Sequence, residues 1–308
     1  MSTPRRRRVV ILPPLAAIIL IGCGIVESAA AQLQIGVGIP PQAYLVERIG
    51  GRHVAVQVLL RPGRNPHTFM PTPRQLVALG KVDLFFKIGL PLEGRLLEKL
   101  EARHSRPVVL DSARGIRKRV FAAGCCDHEH PHDGHQQHAG GVPDPHIWLS
   151  PPLLKVQAIN IAEALQRRDP AHAADYRRNL AALLQEIDAL HAKIGRMLKP
   201  CRGRAFYAFH PAFGYFGDAY GLEQKAVELE GHSPTPRQLR ALVRQAKASG
   251  VKTIFVQPQF DTRSAQIIAD ALGGRVVPLD PLAKNVLANI ANMATEIEQA
   301  VSTRADAG

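Results

Sequence analysis

Cysteine is scarce in this chain: four in 308 residues, at Cys23, Cys125, Cys126 and Cys201. They are too few and too unevenly spaced to form a disulfide framework. A bridge from Cys201 to one of the adjacent pair remains open, and so does soft metal ligation by that pair. Aromatic residues make up only 5% of the chain, with a single tryptophan. The formal charge is +13, but the basic residues are scattered, often beside acids, with no interleaved aromatics and no reader motif. This excludes a nucleic-acid-binding role and marks the charge as solvated surface. Long apolar runs are missing after residue 26, and no helix read from the pattern carries a His-Glu-x-x-His zinc-protease element.

What is present begins at the N-terminus. Arg5 to Arg8 precede an apolar run over residues 9–26 and an Ala29-x-Ala31 site, the order of a secretory signal peptide. Pro13 and Pro14 interrupt the run, which is at the lower limit for crossing a bilayer, so a retained anchor is the weaker reading. Leu20-Ile21-Gly22-Cys23 also resembles a lipobox, which would put a lipid anchor on Cys23. Either route exports the protein to the periplasm. Cleavage after Ala31 removes four arginines and Glu27 and lowers the formal charge to +10.

From residue 33 onward, β-rich runs alternate with helical ones. Strands are expected at 33–39, 54–60, 82–86 and 107–110, with helices at 42–49, 73–79 and 92–102 between them. After two helices, at 151–165 and 171–198, the alternation resumes: strands at 205–209, 224–229, 253–256 and 275–279, helices at 212–220, 236–249, 263–272 and 285–301. Such alternation predicts an α/β fold of two lobes, with parallel-rich sheets flanked by helices. Leu180, Leu183, Leu184, Ile187, Leu190, Ile194 and Leu198 form one apolar stripe, so 171–198 reads as a long rigid linking helix. The expected division is 1–31 signal peptide, 32–168 N-terminal lobe, 169–200 linking helix and 201–308 C-terminal lobe.

Residues 114–142 break the pattern. Within the loop 125–138, His128, His130, His132, His135 and His138 fall in eleven residues with no apolar face. Neutral imidazole is the commonest protein ligand for zinc and copper, so auxiliary metal capture is the expectation there; a solvated insert without a role is the plain alternative.

Four further residues share a context. His67, His146, His210 and Asp280 each have a neighbouring proline, and His67, His210 and Asp280 fall at strand ends, where parallel sheets place their ligands. Three imidazoles and a carboxylate make a tetrahedral set for Zn2+, provided that the fold gathers them from both halves.

Several stretches carry a family resemblance: Pro62-Gly63 through Pro66-His67-Thr68, Asp144-Pro145-His146-Ile147-Trp148-Leu149-Ser150, and His210-Pro211-Ala212-Phe213-Gly214-Tyr215-Phe216. Glu230-Gly231 with Pro234-Thr235-Pro236, residues 254–260, and Leu279-Asp280-Pro281-Leu282 continue it in order. The chain resembles the cluster A-I metal-binding receptors of ABC importers, in particular the high-affinity zinc branch. The resemblance implies two α/β lobes on a rigid helix, metal ligation by His67, His146 and His210, and Asp280 at the fourth position. It also implies an ABC importer membrane permease as partner. The manganese branch has glutamate where His210 stands. There are three departures: Pro66 stands where some zinc receptors carry an acid, Gln257 where the family usually has glutamate, and the paired cysteines of some second lobes are missing.

The expectation is a monomeric, non-enzymatic extracytoplasmic Zn2+ receptor. A metal buffer or chaperone acting through the histidine loop is the alternative. A zinc hydrolase is weaker, since it would need Asp280 as base rather than ligand.

Overall fold

Parallel strands need a crossover between neighbours, and this chain places one between successive strands. The computed structural model describes residues 31–101, 107–121, 142–228, 236–260 and 263–302. The signal segment, the histidine loop 125–138 and part of the Glu230–Pro236 motif fall outside those residues. From Gln32 onward the chain groups as one unit.

The first half runs β1 (Leu33–Val37), α1 (Pro40–Gly50), β2 (Val54–Val58), α2 (Pro73–Leu79), β3 (Leu84–Lys87), α3 (Pro91–Glu101) and β4 (Val108–Asp111). Two helices follow, α4 (Pro151–Arg168) and α5 (Ala173–Leu198). The second half runs β5 (Ala205–Ala208), α6 (Gly214–Tyr220), β6 (Glu223–Ala226), α7 (Pro236–Ala248), β7 (Thr253–Val256), α8 (Arg263–Ala271), β8 (Arg275–Pro278) and α9 (Val286–Ser302). The strand order is β2-β1-β3-β4 in one sheet and β6-β5-β7-β8 in the other, with every pair parallel. The two lobes therefore share one plan, each with its order reversal between the first and third strands.

Local chemistry sets the boundaries. Thr72 caps α2: its Oγ1 accepts from Gln75 N at 3.3 Å, while Gln75 Oε1 takes the Thr72 N–H at 3.0 Å. Helix α5 begins two residues later than its apolar pattern suggests, because Pro170–His172 form a 3-10 turn tied down at Asp169 by Tyr176 Oη and His172 Nδ1. Helix α4 runs on to Arg168, beyond its expected end. Strand β6 stops at Ala226, three residues before the expected 229, which leaves Glu228 beyond the strand end.

At 26 residues, α5 is about 39 Å long. It stands between the lobes in sequence and packs against α1, α4 and α9, elements from both sides of it. Tyr176, Leu183, Ile187, Ile194 and Leu198 are its buried stripe, and they belong to one apolar cluster that continues through both lobes. A second cluster, including Tyr207, Ile254, Ala265 and Ile268, fills the opposite face of the second sheet beneath α7 and α8. All four residues of β7 are buried, as expected for a strand covered on both faces.

Candidate metal centre

Each of the three histidines is positioned by its own short-range device. His67 sits in the loop between β2 and α2, where the Asn65 side-chain oxygen accepts its backbone N–H at 2.9 Å. His146 follows Pro145 and leads into a 3-10 turn at Ile147–Leu149; one oxygen of Asp144 accepts both its backbone N–H (2.9 Å) and its ring Nδ1 (2.7 Å). His210 comes directly off β5 at the order reversal of the second sheet, where open α/β sheets hold their ligands. Gln257, beyond β7, clamps it: Gln257 Oε1 accepts the His210 N–H at 3.0 Å and Gln257 Nε2 donates to the His210 carbonyl at 2.9 Å. Glu228 holds the His210 ring at Nδ1, 3.0 Å away.

His67 and His146 precede α5 and His210 follows it, yet the nitrogens of all three lie within 4.8 Å of one another. His67 Nε2 and His210 Nε2 are 3.2 Å apart. Tetrahedral ligands at zinc–nitrogen distances of about 2.0–2.1 Å stand about 3.3 Å apart, so this pair already has ligand spacing. With Nδ1 of His146 and of His210 occupied by carboxylates, the remaining ring nitrogen of each is Nε2, which a metal can take; the carboxylate also makes the ring more basic. Burial holds the His210 pKa below the ordinary imidazole range, with nearby His146 adding to that effect and the Glu228 bond opposing it. His210 is therefore neutral near pH 7, the form that ligates.

The surroundings are mostly buried. His146, His210, Asp144 and Glu228 are each at most 3% exposed, while His67 is half-buried. Phe260 stacks on the His210 ring at 4.7 Å, and Trp148 lies 5.2 Å from that of His146. Trp148 Nε1 in turn donates to the Pro281 carbonyl at 2.7 Å, tying the His146 segment to the second lobe.

Asp280 is not in the three-histidine group. Its Oδ1 accepts from Gln259 Nε2 at 2.6 Å and from the Leu282 N–H at 2.9 Å. The five loop histidines lie outside the described residues. Cys201 is a buried free thiol, 3.6 Å from Ser302 Oγ.

Sequence reasoning named the three histidines but did not give Glu228 or Asp144 a role, and read Gln257 only as a departure affecting loop stability. For Asp144 there was a signal, an acid two residues before His146. Glu228 had none, because it approaches His210 only through the fold.

Comparison with known proteins agrees with the geometry. A structure titled as that of ZnuA superposes with a TM-score of 0.79 at 38% identity, covering 88% of this chain and 99% of that one. A second, of a ZnuA deletion mutant with zinc bound, gives 0.78 at 38% identity, covering 88% and 98%. The high-affinity zinc uptake system protein ZnuA of Brucella abortus is 27% identical over 257 residues, 73% of this chain and 77% of that protein. The family model described as zinc-uptake complex component A, periplasmic, matches residues 35–301, and the chain belongs to that family.

Proposed function

We propose that this protein is an extracytoplasmic zinc receptor, which captures Zn2+ between its lobes on His67, His146 and His210 and hands it to the membrane permease of an ABC importer. The observation that carries this reading is the convergence of three imidazole nitrogens within 4.8 Å from segments on both sides of α5. Three neutral nitrogens, two of them backed by buried carboxylates, suit a borderline cation such as zinc; a site for manganese would be richer in oxygen. The fourth position is left to Asp280, whose bonds from Gln259 and Leu282 both fall on Oδ1, or to a water or small ligand. The chain binds and releases its cargo and performs no catalysis on it. Residues 1–31 export it.

The linking helix favours small lobe movements and local loop changes over wide closure, because bending α5 would break the apolar stripe it shares with both lobes. Release is then driven by docking at the permease.

Zinc titration calorimetry with manganese as competitor tests this. The protein is expected to show one tight zinc site that manganese does not displace, and His146→Ala or His210→Ala should weaken it about a hundredfold or more, each removing one ligand of three. Tight binding that survives both variants would move the site to the loop 125–138 and make the protein a metal buffer.

A further inference from the structure

Tyr215 is the second residue of α6, in the segment that begins at His210, and its side chain reaches back to the segment that carries His146. It is 5% exposed, and its hydroxyl is used twice: Oη accepts the Arg119 N–H at 2.7 Å and donates to the Asp144 carbonyl at 2.9 Å. Burial pushes the hydroxyl's pKa up to about 12, so near neutral pH it keeps the proton it donates. Arg119 closes the arrangement from the other side. Its carbonyl accepts the Asp144 N–H at 2.8 Å, and its guanidinium pairs with Asp218 of α6 and lies 6.0 Å over the Tyr215 ring. A side chain at Gly214 would run into that guanidinium, with its Cβ 2.8 Å from Arg119 Nε.

Asp144 is the residue whose carboxylate takes both the backbone N–H and the ring Nδ1 of His146. A hydrogen bond on its carbonyl fixes the plane of the Asp144–Pro145 peptide, which Pro145 already restricts. Trp148, two residues beyond His146, is tied to the Pro281 carbonyl. His146 therefore precedes α5 in sequence, yet its segment is pinned to the second lobe on both flanks, with its ring 5.2 Å from that of His210. A buried tyrosine hydroxyl needs partners wherever it lies, and satisfying it would by itself set no ligand. What distinguishes this one is that its acceptor belongs to the residue that grips His146. We propose that Tyr215 is a positioning residue of the metal centre: its hydroxyl holds the Asp144–Pro145 peptide so that the Asp144 carboxylate and the His146 ring stand ready beside His210 before an ion arrives. Ligands placed in advance bind more tightly, because their ordering is completed in folding. This inference rests on the three-histidine site as the zinc site and adds how one of its ligands is kept in place.

Proton NMR of the metal-free protein at neutral pH, together with zinc titration calorimetry, tests it in Tyr215→Phe and in Tyr220→Phe. The second variant removes a hydroxyl of the same helix, bonded at 3.1 Å to His191 Nδ1, and so shows what a lost tyrosine bond does to stability alone. In the wild type the ring N–H of His146 on Asp144 and that of His210 on Glu228 should each give a downfield resonance. Tyr215→Phe should shift or broaden the His146 signal, leave the His210 signal, and weaken zinc binding about tenfold. Tyr220→Phe should change none of the three. Wild-type zinc affinity or an unmoved His146 signal in a folded Tyr215→Phe overturns the proposal. The Arg119 amide gives a check that does not depend on the variant's folding. Bonded to Tyr215 Oη, it should resist hydrogen exchange in the metal-free wild type, and exchange at the rate of an open loop overturns the proposal as well. A wild type with no tight zinc site would overturn the receptor reading along with it, whereas the other outcomes strike Tyr215 alone.

Discussion

Glu228 and Asp144 stand behind the imidazoles of the candidate metal centre. Each is buried and bonded to the Nδ1 of one imidazole, which fixes that ring's tautomer and aims its Nε2 inward. Glu228→Gln keeps the shape but loses the negative charge, and should weaken zinc binding about tenfold to a hundredfold with His210 still in place; calorimetry on the variant checks this. The three histidines were legible because each sits beside a proline, and two of them beyond a strand end, where an imidazole is held rather than mobile. Glu228 was not, since β6 read as running to 229 places it inside a strand. Gln257 looked like a loop substitution, yet its amide both accepts from and donates to the backbone of His210. A glutamate there, when ionised, could accept but not donate.

The start of α3 shows what an element asks of one side chain. Glu93 is 1% exposed and its carboxylate accepts the backbone N–H groups of Ile88 (3.0 Å), Gly89 (2.7 Å) and Leu90 (2.9 Å), the turn that leads from β3 into the helix. Burial pushes its pKa up to about 7 against the pull of those three donors. The folded state then holds a proton that the unfolded state has lost between about pH 4.5 and 7, so this contribution to stability is full below pH 4.5 and falls as the pH rises to 7. The change amounts to on the order of 3 kcal/mol at most. Urea unfolding of Glu93→Gln at pH 5 and pH 8 should show a smaller difference between the two pH values than the wild type does. Element types and order were readable throughout, because apolar periodicity and flanking prolines or glycines mark each one. Boundaries shifted where a side chain intervenes, as Asp169 does before α5.

Across the whole molecule, the candidate ligands come from both sides of α5, so metal binding on them would report on the assembly of both lobes. Trp148→Phe leaves the Pro281 carbonyl without its donor and should cost about 2 kcal/mol, seen as a lower urea midpoint. The depressed His210 pKa means that the unfolded chain binds more protons just below pH 6.5; the metal-free protein therefore gains stability as pH rises through that window and loses it as pH falls. Zinc needs the same imidazoles neutral, so affinity should drop steeply below about pH 6, measurable by titration at pH 5 and pH 7.5. Removing residues 127–138 should leave one tight site, since His67, His146 and His210 gather among the described residues; loss of all binding would place the main site in the loop. The sequence by itself determined the two α/β halves, the helix between them and the histidines that serve as candidate ligands, because periodicity and proline context are local. Only the tertiary structure decided that these histidines meet, that Glu228 and Gln257 hold His210, and that a cavity opens beside them. Those relations join residues as far apart as 67 and 210, which come together only when both sheets pack against the same long helix.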